Sequence, residues 1–294
     1  MTDSVAILDH DARVRHRLAA LLSSLGIRAT ALADATSMQH ALQTERQRPG
    51  VLLLDGQLAS MLGGEFFRQV PTVVLHDSSA QPAADRFLAQ GAAAVVHKPL
   101  ETWNLLAELQ RILPEAPGLK AALPRSIVLD DGRAITIRAI QPEDAGIEQD
   151  FVRSLSLAAK QRRFFFPVKE LSEKLLHEFT HPQYPDNWAL IATVRQQGAE
   201  TEIGVARYAP CRGSAGAEFA VVVADAWQGC GVATHLMLEL LEVAAEANIR
   251  LIEGNVLREN RRMLAFIERL GFVPQPHPDD PAVVRVVKVL DLPG

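Results

Sequence analysis

Cysteine is scarce: Cys211 and Cys230 are the only two in 294 residues. That is too few for a disulfide framework and the wrong spacing for a zinc site, so two free thiols in a reducing compartment are expected. No run of about 18 apolar residues occurs, which excludes a membrane-spanning helix. The N-terminal MTDSVAILDHD places acids where a secretory signal needs a basic and then an apolar stretch, so a cytoplasmic protein is expected. Basic charge is not in excess either. With 30 Lys and Arg against 35 Asp and Glu, the net charge of -5 argues against a chain built to neutralise phosphates, and nucleic acid is not an expected partner. Internal repeats and low-complexity segments are absent as well.

What is present is enough chain for two α/β domains, each with its own core. In the first half, Val5 to Leu8, Val51 to Leu54, Thr72 to Leu75 and Ala94 to His97 read as buried strands with helices between them. Val14, Leu18, Leu21, Leu22 and Leu25 recur at helical spacing, with Gly26 as the cap. Such alternation predicts a flavodoxin-like, doubly wound parallel sheet, with functional groups at the carboxyl ends of the strands. A helix from Glu101 to Leu113 closes it. The stretch PEAPGLKAALP then reads as a linker, giving domains over 1–115 and 125–294 with residues 116–124 between them. The second half predicts strands at Ile127 to Leu129, Ile135 to Arg138, Ala189 to Val194, Ile203 to Tyr208 and Glu218 to Val223. A long helix follows from about Gly231 to Ala247.

Between that last strand and the long helix lies WQGCGVATHLMLELLEVAAE. A glycine-containing loop at a helix N-terminus offers unpaired N–H groups and the positive end of the helix dipole, a combination that binds a diphosphate without a lysine. A Rossmann fingerprint would need a third glycine, and a P-loop a Gly-Lys-Ser/Thr, and both are missing. Gln228, Gly231 and Ala233 fit Q/R-x-x-G-x-G/A, and residues 216 to 272 resemble the GNAT acetyltransferases, ending in their Leu-Gly-Phe. The resemblance implies a mixed-sheet α/β domain and acetyl-CoA as the donor. It implies that Val221, Val222 and Val223 face the pantetheine arm, and that Gln228, Gly229, Cys230, Gly231, Val232 and Ala233 hold the pyrophosphate. It also places Asn260 near the cofactor, although Asn260 reads equally well as the cap of the following helix.

Amine acylation requires a neutral amine, whereas a free lysine has a pKa of about 10.4, so a base at the acceptor channel is needed. Glu218, at the start of its strand, is the candidate catalytic residue; it matches the general base of related protein acetyltransferases. The tyrosine that many GNAT members place four residues before the final glycine is here Ile267, which puts a tyrosine acid in doubt. The segment LSLAAKQRRFFFPVKELSEKLLHEFTHPQYPDNWALIA resembles bacterial protein lysine acetyltransferases, which implies a protein lysine as acceptor amine. Phe164, Phe165 and Phe166 read alternatively as a core anchor. A sensor of acetyl-CoA that transfers nothing is the competing reading of the whole.

The first half resembles a response-regulator receiver domain. Asp9 follows the first strand, Asp55 ends the third, Gly63 comes eight residues later, and Lys98-Pro99 follows the fifth. The resemblance implies Asp55 as phosphoacceptor, a pocket of Asp9, Asp11 and Lys98, Mg²⁺ as its metal, and a sensor histidine kinase as partner. His10 stands where the family has a metal-binding acid, His76 replaces its Thr or Ser, and Val95 replaces its switch aromatic, so the metal remains uncertain.

Overall fold

The computed structural model describes residues 4–44, 48–62, 64–77, 81–100, 102–114, 116–122, 124–166, 168–196, 198–211 and 216–292; Gly63 lies outside them. The chain forms two compact units, Met1–Leu123 and Pro124–Gly294.

The first unit runs β1 (Ser4–Leu8), α1 (Ala12–Ser24), β2 (Arg28–Ala31), α2 (Ala35–Gln43), β3 (Val51–Asp55), α3 (Gly56–Ala59), α4 (Gly64–Phe67), β4 (Thr72–His76), α5 (Gln81–Ala89), β5 (Ala94–His97), α6 (Thr102–Ile112) and α7 (Pro117–Ala122). Its five strands are parallel in the order β2-β1-β3-β4-β5, which is consistent with a flavodoxin-like sheet. Val51 to Leu54 and Val73 to Leu75 are fully buried, as continuous apolar strands covered on both faces should be. The expected linker is corrected in one respect: Pro117 to Ala122 form a helix, with Ala121 and Ala122 buried. Proline at a first helical position loses no hydrogen bond, which is why the Pro/Gly signal did not prevent helix formation.

The second unit comprises β6 (Arg125–Val128), β7 (Ala134–Ala139), a 3₁₀ turn (Pro142–Asp144), α8 (Ala145–Ser154), α9 (Leu157–Phe164), α10 (Glu173–Thr180), β8 (Trp188–Gln196), β9 (Ala199–Pro210), β10 (Ala217–Val223), α11 (Val232–Glu246), β11 (Leu251–Leu257), α12 (Arg261–Arg269), β12 (Val273–Pro276) and β13 (Val283–Val289). Eight strands form a mixed sheet in the order β12-β13-β11-β10-β9-β8-β7-β6, in which only β10 and β11 are parallel neighbours. Helix α11 buries Leu236, Met237, Leu240, Val243 and Ala244. It rests on β9 at Gly204, where a Cβ would stand 3.2 Å from Leu236 Cδ1. The next residue, Val205, faces the opposite side of the sheet and joins the cluster of Phe151, Val152, Ala159 and Phe164 from α8 and α9. Among the described residues, no helix is long and apolar enough to cross a membrane.

One local event matters for the site. Strands β10 and β11 pair only at Ala217↔Ile252 and Glu218↔Glu253, and then part. Where pairing would continue, the Phe219 ring lies over Gly254, so that a Cβ at Gly254 would stand 2.5 Å from it. The ring also packs on Phe272, with centroids 4.9 Å apart. Phe219 thus fills the space at the fork, and beyond Glu218 the β11-facing edge of β10 has no strand partner.

Candidate functional site

The fork opens into a cavity of about 960 Å³. Along one wall runs β10 from Glu218 to Val223, a length of about 16 Å at 3.3 Å per residue. Val221, Val222 and Val223 line it, as do Asn255, Val256 and Leu257 of the departing β11. The open edge of β10 carries main-chain donors and acceptors that need partners. A ligand with amide groups of its own can supply them in the manner of an added strand.

At the far end of β10 sits the glycine loop. Gly229 and Gly231 adopt φ of 86° and 98°, a region that side-chain-bearing residues rarely enter. Gln228 turns back, its Nε2 donating to Val223 O at 3.1 Å, so it braces the loop. Cys230 Sγ donates to Trp227 O at 2.8 Å. The N–H groups of Gly229 to Ala233 donate to no acceptor among the described residues, and they stand at the N-terminus of the 15-residue α11. That is the arrangement a diphosphate requires. The Val232 side chain is buried and does not line the cavity, which leaves only its N–H for a ligand. Sequence reasoning missed Arg262. Its Nη2 would lie 2.9 Å from a Cβ on Gly229, so a guanidinium covers the loop and adds a cation for phosphate. The only sequence signal was its position two residues after Asn260. Asn260 combines both of its expected roles: Oδ1 accepts from Met263 N at 3.2 Å to cap α12, and the residue lines the cavity.

At the near end, Glu218 is exposed and accepts a hydrogen bond from Asn255 Nδ2 at 3.1 Å across the fork. The Phe run divides. Phe164 is buried, but Phe165 takes the left-handed φ of 62° at the end of α9, and it and Phe166 are 45% and 56% exposed on the cavity wall. The core-anchor reading therefore holds for Phe164 alone, because the reversal at Phe165 turns its two successors outward. Ile267 is fully buried, so no hydroxyl reaches the cavity from that position.

Behind this end lies a group of charges that the sequence did not disclose. Phe179 of α10 lies near two guanidiniums, with Arg207 Cζ 3.8 Å and Arg163 Cζ 5.7 Å from its ring centre. Arg207 pairs with Glu148 Oε1 at 3.3 Å. Burial, with the neighbouring Glu148 carboxylate, raises Glu202 well above the usual range. Burial, with repulsion from Arg207, pushes Arg163 down to about 10, even though Glu148 and Glu218 favour its charge.

The same second unit carries the family likeness. The model of the acetyltransferase (GNAT) family matches residues 156–272. An acetyltransferase of Pseudomonas aeruginosa is 38% identical over 152 residues, covering 52% of this chain and 82% of that protein. The chain belongs to the GNAT acetyltransferase family. The GNAT domain of S. lividans PAT, 33% identical, superposes with a TM-score of 0.52 over 57% of this chain and 97% of that one. This GNAT protein is an acetyl-CoA-dependent N-acyltransferase. The fork, the unpaired loop amides and Arg262 are suited to the donor's pantetheine amides and its phosphates.

In the first unit, Lys98 Nζ lies 2.8 Å from both Asp9 Oδ2 and Asp55 Oδ2. His10 Nδ1 is 3.2 Å from Asp55 Oδ2. Burial opposes the charge of Asp55, but Lys98 and the Gln57 and Leu58 amides outweigh it and hold the carboxyl below its usual value. Asp11 departs from the expected pocket: its Oδ1 accepts from Arg13 N at 2.8 Å to cap α1. Among the described residues, Asp9, His10 and Asp55 place potential ligand atoms within 4.8 Å of one another. Mg²⁺ prefers an octahedron of oxygens, and two carboxylates shared with an ammonium and flanked by an imidazole fit it poorly.

Proposed function

We propose that this GNAT enzyme acetylates a lysine on a protein, with Glu218 as the general base. The fork carries the reading: it joins the diphosphate loop at one end of β10 to a carboxylate at the other, with exposed aromatics beside it. The acceptor amine gives a proton to Glu218, directly or through a water, and its nitrogen attacks the thioester carbonyl. The C–N bond forms, a strand N–H near Val222 stabilises the oxyanion, and the C–S bond breaks. Coenzyme A leaves as the thiolate and is protonated from solvent or by the newly bonded nitrogen, which must lose a proton to become an amide, since Ile267 offers none. Exposed Phe165 and Phe166 suit a protein acceptor, because aromatic side chains at the centre of a contact contribute most of its affinity. The resemblance of residues 155 to 192 to lysine acetyltransferases supports the same acceptor class. Supplied with radiolabelled acetyl-CoA and host lysate, the enzyme is expected to place label on protein lysines. Label confined to small molecules would overturn the acceptor class while leaving the donor untouched.

The first unit we read as a receiver-like regulatory domain with Asp55 as its candidate phosphoacceptor, a kinase as its candidate partner, and no step routed through Mg²⁺. A regulatory domain must favour some states of the catalytic one over others. A fragment of residues 124–294 is therefore expected to bind acetyl-CoA as the full chain does but to differ severalfold in catalytic efficiency. Equal efficiencies would reduce the first unit to a tether. Calorimetry showing no acetyl-CoA binding by the folded fragment would place part of the donor site elsewhere.

A further inference from the structure

Arg163 is the outlier of the cavity wall. It sits on α9 beside Phe164 and Phe165, half-buried, with Phe164 at 5.0 Å and Phe179 at 5.7 Å from its Cζ. Among the described residues it donates to no hydrogen-bond acceptor and forms no ion pair, although it lines the cavity. Neither neighbouring carboxylate forms an ion pair with it. Arg207 is a second cation, Glu148 is committed to Arg207, and Glu218 is held by Asn255 across the fork. A guanidinium with five donors and no protein acceptor, held between ring contacts at the edge of a cavity, is open to a ligand anion. The donor's phosphates are not that anion. The loop that suits them follows the far end of β10; α9 starts beside that end, where Ser156 Oγ donates to Asp225 Oδ1 at 2.8 Å, and Arg163 stands in the last turn of that helix, away from the loop. The anion must therefore arrive with the acceptor.

We propose that Arg163 is the anion receptor of the acceptor site and that the acceptor carries a carboxylate close to its reacting amine. Glu218 and Arg163 then form a complementary pair, one facing the ammonium and the other the carboxylate. On the lysine reading, upon which this rests, the carboxylate is an Asp or Glu beside the modified lysine. A free amino acid offers the same chemistry from a second source. Either carboxylate can accept two parallel N–H bonds from the guanidinium fork, a geometry that a lysine in its place could not reproduce.

The test compares matched acceptors with the full-length protein. One arm uses lysine peptides carrying a single Glu or Gln at positions from -2 to +2; the other uses L-leucine against L-leucinamide. In at least one arm the acid is expected to exceed its amide by tenfold or more in kcat/KM. Arg163→Gln should bring that ratio close to one with acetyl-CoA affinity unchanged, and Arg163→Lys should retain part of it. Calorimetric titration of the same pairs into the coenzyme A complex yields the ratio without turnover. A wild-type ratio near one in both arms, a ratio that survives Arg163→Gln, or loss of acetyl-CoA affinity in that variant would each overturn the proposal. A preference confined to leucine would keep the role of Arg163 and remove the protein lysine. The base assignment is read separately, since Glu218→Gln should slow both members of a pair and leave their ratio intact.

Discussion

Glu218→Gln is expected to lower acetyl transfer at pH 7 by about 10²-fold or more, the usual contribution of a positioned base. Acetyl-CoA affinity should barely change, because in the proposed mechanism the carboxylate serves the amine and not the donor. Gln keeps the volume and still meets Asn255 Nδ2 through its carbonyl oxygen, so the fork should retain its shape. The deficit should also shrink with pH: above about 10, near the ordinary lysine pKa, much of the amine is already neutral and needs no base. Steady-state rates from pH 7 to 10.5 decide the matter. Wild-type turnover at pH 7, or a deficit that stays constant to high pH, would assign the proton transfer to another group.

Gly231→Val is expected to weaken acetyl-CoA binding by 10²-fold or more. At φ of 98° a β-branched residue is held where the chain resists it, at a cost of about 1–3 kcal/mol. The nearest atoms to a Cβ there, on His235 and Leu129, are both 3.9 Å away, so crowding alone would not exclude the substitution. Relief of the strain must come from the backbone, and rotating it turns the Gly231 and Val232 N–H groups out of convergence. The rest of α11 is anchored by Leu236, Met237 and Leu240, so circular dichroism should change little. Titration calorimetry that finds the original Kd would show that the loop amides do not hold the donor.

Much of this architecture is legible in the sequence because burial writes a plain pattern. Strands β1, β3, β4 and β5 are short apolar runs, and α11 repeats its apolar residues every three or four positions. Strand β2 is not legible, since RATA is largely exposed at a sheet edge and carries no apolar run. The donor loop can be read because glycine spacing is local. The acceptor end resists reading because it is made by elements distant in sequence. Arg163 looks like one more surface arginine until α10 sets Phe179 beside it and β9 brings Arg207 to the same ring. Asn255 becomes a partner of Glu218 only across two diverging strands. Asp11 shows the reverse case, in which an acid suitably placed in sequence also caps the nearest helix, a contact the spacing alone does not reveal.

The Phe219 ring over Gly254 has a bearing on how such an enzyme can diversify. The fork it occupies exposes main-chain groups of β10, and the loop beyond likewise offers a donor mainly N–H groups, which every residue but proline possesses. Substitutions along those stretches that respect the backbone conformation would leave the grip on coenzyme A largely unchanged. The acceptor end, by contrast, is lined by the side chains of Glu218, Arg163, Phe165 and Phe166, each replaceable one codon at a time. A lineage could therefore exchange one acceptor for another through a few side-chain replacements while inheriting the donor chemistry intact.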